Sequence, residues 1–155
     1  MQQIIIYTDG ASRGNPGPGG YGVVLIYGEN KKELSKGYRL TTNNRMELMG
    51  VIAALEAMKK NNLSLLIYSD SNYVVKAFEE GWLTNWISTD FKGGKKNKDL
   101  WQKFYKLSQN HSIKFKWVKG HHTDKYNIRC DELATEAADS KNLFIDEGYE
   151  SELKS

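Results

Sequence analysis

The sequence has a single cysteine, Cys130, so no internal disulfide can form. With only His111, His121 and His122 beside it, a structural zinc site of the Cys/His type lacks ligands as well. Prolines are confined to Pro16 and Pro18, which excludes a stiff proline-rich linker. No stretch approaches the roughly 18 apolar residues that a membrane-spanning helix needs. Met1-Gln2-Gln3 carries neither the positive flank nor the short apolar core of a secretory signal, so cytoplasmic residence is the expectation. Neither sign of charge dominates: 22 Lys+Arg stand against 19 Asp+Glu, a formal +3 that is too mild to prove a polyanionic partner. What remains is a chain of 155 residues, 39% hydrophobic, which suits one globular domain over residues 1–155 with a sizeable core.

The small net charge hides a polarised distribution. Residues 91–125 hold about ten lysines against Asp99 and Asp124, whereas residues 131–155 hold about eight acids against Lys141 and Lys154. The basic stretch also carries Trp101, Phe104, Tyr105, Phe115 and Trp117. It reads either as a surface that tracks a phosphate backbone or as a solvated lysine face over a packed aromatic core.

Hydrophobic periodicity supplies the elements. Residues 3–8 read as a strand apolar on both faces, and 21–27 as a second strand after a glycine-rich loop over 10–20. Residues 28–31 turn into a third strand over 32–40, giving an antiparallel meander. Asn43 or Asn44 can cap a helix running to about residue 60, with Leu48, Val51, Ile52, Leu55 and Met58 at helical spacing. A buried strand over 65–69 and a helix over 71–80 follow as a βα unit. Residues 99–109 read as helix, 113–118 as strand and 127–140 as helix. The order β-β-β-α-β-α-α-β-α predicts an α/β fold: a five-stranded mixed sheet, meander plus parallel strands, flanked by helices.

Four acids sit in unusual places. Asp9 follows the first strand and Asp70 the fourth; if those strands are parallel neighbours about 4.8 Å apart, both carboxylates project from one sheet end. Ordinary readings exist for each, since Asp9-Gly10 can be a turn and Asp70 can cap the next helix. Glu47 shares its helical stripe with Val51, Ala54 and Met58, and Asp131 aligns with Ala134 and Ala138, while Glu132 lies on the wet face. A first-turn carboxylate favoured by the helix dipole would be content in solvent, so the dipole does not account for placement toward the core. Clustered buried acids ask for a cation. Mg²⁺ fits, as a hard ion held by a few carboxylates, water and phosphate oxygens, and two such ions about 3.5–4 Å apart serve phosphodiester cleavage.

Five blocks in register then resemble the bacterial type I ribonuclease H family. They are Tyr7-Thr8-Asp9-Gly10-Ala11 with the Gly14-Asn15-Pro16-Gly17 loop, Thr41-Thr42-Asn43-Asn44-Arg45-Met46-Glu47-Leu48, Ser69-Asp70-Ser71, Val118-Lys119-Gly120-His121, and Arg129-Cys130-Asp131-Glu132-Leu133-Ala134. One block alone would be weak evidence; the order and spacing of five carry the likeness across residues 4–149.

The resemblance implies a ribonuclease H-like fold and hydrolysis of the RNA strand of an RNA–DNA hybrid, leaving 5′-phosphate and 3′-hydroxyl ends. It implies two Mg²⁺ ions per site, with Mn²⁺ possible, in a monomer. The family's acidic ligands fall on Asp9, Glu47, Asp70 and Asp131, the set that periodicity isolates, and its mobile histidine falls on His121, with His122 adjacent. Hybrid contacts are expected from Asn15, Thr42, Asn43, Asn44 and Asn72, and from a basic handle holding Trp82, Trp86, Lys92, Lys95, Lys96 and Lys98. Capping is the alternative for Asn43 and Asn44. The handle is short, without arginine. The rival activities are another nuclease of the same fold and a hybrid-binding module that does not cut. The acidic tail after Phe144 can pack on the domain or hang free.

Overall fold

In a computed structural model, which describes residues 3–93, 96–119 and 124–154, strands β1 (Gln3–Ser12), β2 (Gly17–Tyr27) and β3 (Asn30–Thr41) form the expected meander. After them come α1 (Asn43–Glu56), β4 (Ser64–Ser69), α2 (Asn72–Glu79), α3 (Trp82–Ser88), α4 (Lys98–Ser108), β5 (Ser112–Trp117), α5 (Lys125–Ala138) and α6 (Glu147–Leu153). The sheet order is β3-β2-β1-β4-β5, with β1 antiparallel to β2 and parallel to β4, and β4 parallel to β5. Expected and observed architecture therefore agree, with α3 and α6 as additions.

Alternation along the strands sends side chains to two unequal cores. Ile4, Ile6, Val23, Leu25, Leu65 and Ile67 pack under α1, α2 and α4, whereas Tyr7 and Val24 pack against Cys130 and Leu133 of α5. Trp101, Phe104 and Phe115 are buried in the larger core. For these three aromatics the packed-core reading holds; Trp117 alone of the large ones stays 44% exposed. On the smaller side Gly20 and Gly22 of β2 and Gly37 of β3 lie directly beneath the α5 backbone, where any Cβ would collide with it.

Several local expectations are corrected. The glycine-rich segment is mostly strand, not loop: β1 runs on to Ser12 and β2 begins at Gly17, leaving only residues 13–16 to turn. Gly10 is accordingly a strand residue, and a Cβ there would strike the backbone of Met46 and Glu47, so its role is close approach of α1. The cap of α1 is Thr42, whose hydroxyl accepts from Arg45 N at 3.2 Å, rather than Asn43 or Asn44. The helix stops at Glu56 instead of residue 60: Leu55 is its last buried side chain, and Ala57 and Met58 pack against the core only in part. The acidic tail packs: Phe144 bridges to Tyr38, and Arg39 grips Glu150 of α6 through two hydrogen bonds of 2.9 and 2.8 Å.

Candidate active site

Parallel pairing of β1 with β4 sets the site. Tyr7 lies opposite Tyr68, so Asp9 and Asp70, two residues on, leave the same end of the sheet side by side. Asp70 is not a cap, since Ser71 caps α2 and its hydroxyl accepts from Val74 N at 3.2 Å. Glu47 comes down from α1, at the approach that Gly10 permits. Neither Glu47 nor Asp131 lies in the first turn of its helix, so the dipole does not explain their positions.

Carboxylate oxygens of Asp9, Glu47 and Asp70 all fall within 4.8 Å of one another. They floor a cavity of about 440 Å³ whose walls include Asn43, Asn44, Asn72, Tyr73 and Asp131. Asp131 thus faces the same cavity from α5 but stands outside the tight trio. Asp9 and Glu47 are only 7% and 6% exposed. Burial first, and the negative charge of Asp70 second, push the Asp9 carboxyl up to about 8. Burial, then the charges of Asp9 and Asp70, drive Glu47 well above the usual carboxylate range. The one backbone bond to Asp9 comes from Gly10 N at 2.9 Å. Glu47 Oε1 and Asp70 Oδ1 are buried with no hydrogen-bond partner among the described residues. Acids left this way fit a hard divalent cation, which would satisfy those oxygens and cancel the repulsion.

The RNase H family profile matches residues 1–139. The chain belongs to the ribonuclease H family. It is 53% identical to the ribonuclease H of Syntrophus aciditrophicus over 153 residues, covering 96% of this chain and 88% of that one. To the ribonuclease H of Desulforamulus reducens it is 51% identical, over 94% of each chain. Among solved structures, LC9-RNase H1, a type 1 RNase H with the type 2 active-site motif, superposes with a TM-score of 0.82 at 28% identity, over 100% of this chain and 82% of that one. LC11-RNase H1, solved in complex with RNA/DNA hybrid, gives a TM-score of 0.67 at 30% identity, over 88% of this chain and 96% of that one. Ribonuclease H enzymes are metal-dependent, and the acidic trio is a group able to hold such an ion.

The remaining ribonuclease H candidates divide. Asn15 Oδ1 accepts from the backbone N of Asn43 at 3.1 Å, which binds the 13–16 turn to the start of α1. Asn15, Thr42 and Asn44 line a second cavity, of about 420 Å³, together with Lys96 and Asn97. Asn44 borders both cavities and joins them. Trp82 is 43% exposed, whereas Trp86 packs edge-on against Trp101 with ring centroids 5.6 Å apart, so it serves the core. Lys92 and Lys96 are exposed; Lys98 pairs with Asp90 at 3.2 Å, an exposed contact worth little by itself. Lys95, His121 and His122 lie outside the described residues.

Sequence reasoning missed Tyr73 and Asn97. Tyr73 lines the acid cavity, and its hydroxyl accepts from Asn97 Nδ2 at 3.0 Å and Trp101 Nε1 at 2.7 Å. Asn97 takes a left-handed conformation, φ 65°, at the start of α4. A polar residue in a lysine-rich loop is the one available signal for Asn97, and it does not single the residue out.

Proposed function

We propose that the protein is an endoribonuclease that hydrolyses the RNA strand of RNA–DNA hybrids, leaving 5′-phosphate and 3′-hydroxyl ends, and that it works as a cytoplasmic monomer with one catalytic domain. The observation that carries this reading is the trio of buried Asp9 and Glu47 with half-buried Asp70, two of whose oxygens are orphaned, at the floor of a cavity rimmed by side-chain amides. Family membership and the hybrid-bound LC11-RNase H1 supply the substrate class.

Asp9, Glu47, Asp70 and Asp131 would hold Mg²⁺, two ions to a site, with Mn²⁺ as the alternative. When bound, the metal lowers the pKa of an attacking water and stabilises charge on the phosphate and the departing 3′ oxygen. The protein's own side chains do the rest. Asn43, Asn44 and Asn72 offer neutral amide donors at the cavity rim, which orient a phosphate backbone without the desolvation cost of a buried ammonium. Glu47 is assigned to accept from a ribose 2′-OH, the group that separates RNA from DNA. The Lys119-Gly120-His121 motif assigns His121 to moving protons, for which an imidazole titrating near pH 6.5 is suited. Trp82, Lys92, Lys95 and Lys96 supply a sequence-independent grip on the DNA strand.

The test incubates the protein with internally labelled RNA paired to DNA, beside single-stranded RNA, duplex RNA and duplex DNA, in Mg²⁺ or EDTA. Cutting confined to the RNA of the hybrid and stopped by EDTA is expected. Cutting of duplex DNA would move the protein to other nucleases of the fold, and metal-dependent binding without cleavage would make it a hybrid-binding module.

A further inference from the structure

Arg45 lies two residues before Glu47 on α1, yet its side chain is 1% exposed and pairs with Asp146 and Asp99 instead of the acid trio. Its Nε and Nη2 donate to Asp146 Oδ2 and Oδ1 at 2.8 and 2.9 Å, and its Nη1 and Nη2 donate to Asp99 Oδ1 and Oδ2 at 2.9 and 2.8 Å. Nη1 also donates to Asn97 Oδ1 at 3.3 Å. One guanidinium thus forks onto two carboxylates, the geometry that only arginine supplies. Asp146 caps α6 and accepts from Thr41 Oγ1 at 2.7 Å; Asp99 sits in the first turn of α4. Gly148 of α6 lies directly on the fork, where a Cβ would overlap the Asp99 carboxylate. Beyond Asn97 the hydrogen bonds continue to Tyr73 and so to the wall of the acid cavity.

We infer that the C-terminal helix α6 is a strut for Lys96 and Asn97 at the start of α4, with Arg45 as the positioning residue between them. A buried ion network of this kind is seldom needed for stability, because packed apolar residues of similar volume serve as well or better. What the fork does supply is a fixed orientation. It sets Asn97, and with it Lys96, in the lining of the second cavity, which Asn15, Thr42, Asn44 and Tyr149 of α6 share. The inference rests on the hybrid-cleaving reading: a strand seated in the acid cavity continues past Asn44 into this groove. With the strut released, a bound strand meets Lys96 and Asn97 out of place, while the acids that do the chemistry keep their positions.

The experiment compares wild type, Asp146→Asn, Asp99→Asn and Arg45→Lys in steady-state cleavage of a hybrid in Mg²⁺, each well below its own Tm. KM is expected to rise about tenfold in all three variants, equivalent to about 1.4 kcal/mol, with kcat within about twofold of wild type. Arg45→Lys belongs with the others because it keeps the charge and loses the fork. If Asp146→Asn does not fold, Asp99→Asn decides alone, its side chain being 44% exposed and Arg45 remaining paired with Asp146. A lowered Tm with unchanged KM would reduce the network to a stabilising feature and overturn the inference. A wild-type protein that leaves the hybrid uncut would overturn the functional reading itself, which separates the two failures.

Discussion

Replacing Asp9 by Asn should stabilise the metal-free protein while destroying its activity. The Asp9 carboxyl is raised from its ordinary 3.8 to about 8, by burial first and by Asp70 second. A folded-state pKa above the unfolded value means that the stability this group allows is full below about pH 4 and lost as pH climbs towards 8. The whole shift corresponds to about 6 kcal/mol at 1.36 kcal/mol per unit. Because Glu47 and Asp70 share the repulsion, one substitution should recover about 2–3 kcal/mol of it. For a chain of this size that is a Tm increase of about 5–10 °C. Thermal unfolding of wild type and Asp9→Asn in EDTA at pH 9 measures it, and the gap should close towards pH 4. Added Mg²⁺ should close most of the gap, since an ion at a hundredfold excess over Kd stabilises the wild type by about 2.7 kcal/mol and finds a weakened site in the variant. An Asp9→Asn protein no more stable than wild type in EDTA at pH 9 would refute the picture of mutually repelling buried acids.

Glu47→Gln and Asp70→Asn should lose more than about a hundredfold in kcat with native-like circular dichroism, because outer-shell partners of metal ligands already cost 10–100-fold. Hybrid cleavage near the wild-type rate by either variant would remove it from the ligand set. His121→Ala should slow turnover and leave metal affinity, read by calorimetry, unchanged; an equal or larger loss in His122→Ala would transfer the role to His122. Changing Lys92 and Lys96 to Ala should reduce the salt dependence of hybrid binding by about 0.9 in log–log slope for each lost phosphate contact. An unchanged slope would assign both lysines to solvent.

The site was legible wherever its logic is local or periodic. Continuous apolar runs marked β1 and β4 as buried strands, whose parallel pairing brings Asp9 beside Asp70, and the stripe through Val51 and Ala54 placed Glu47 indoors. Legibility failed where a long-range contact overrides local propensity. Asp9-Gly10 has the composition of a turn, but the descent of α1 on Gly10 keeps it in the strand. Asn43 and Asn44 are good caps, yet Thr42 holds that post, and Asn43 instead spends its N–H on Asn15. Arg45 on an amphipathic helix reads as a surface charge, and its partners Asp99 and Asp146 stand 54 and 101 residues away, beyond any pattern in the local sequence. Nor does composition show that the acidic tail docks, because the deciding residues, Arg39 and Arg45, lie in β3 and α1.

Those same residues explain why the acid cavity keeps its unpaired charge. A guanidinium turned toward Glu47 would bring the carboxyls back into their ordinary range and leave little for a metal to do. Arg45 is the buried cation nearest in sequence, and its donors are committed to Asp99, Asp146 and Asn97. Arg13, whose charge feels Asp131, is engaged by Asp139 through hydrogen bonds of 2.8 and 2.7 Å. Among the described residues no Lys or Arg forms an ion pair with Asp9, Glu47 or Asp70. The fold therefore balances its structural acids with arginine and withholds arginine from those of the cavity. α1 serves both, carrying the cation that anchors the C-terminal helix and, two residues later, an acid of the group able to hold a metal ion.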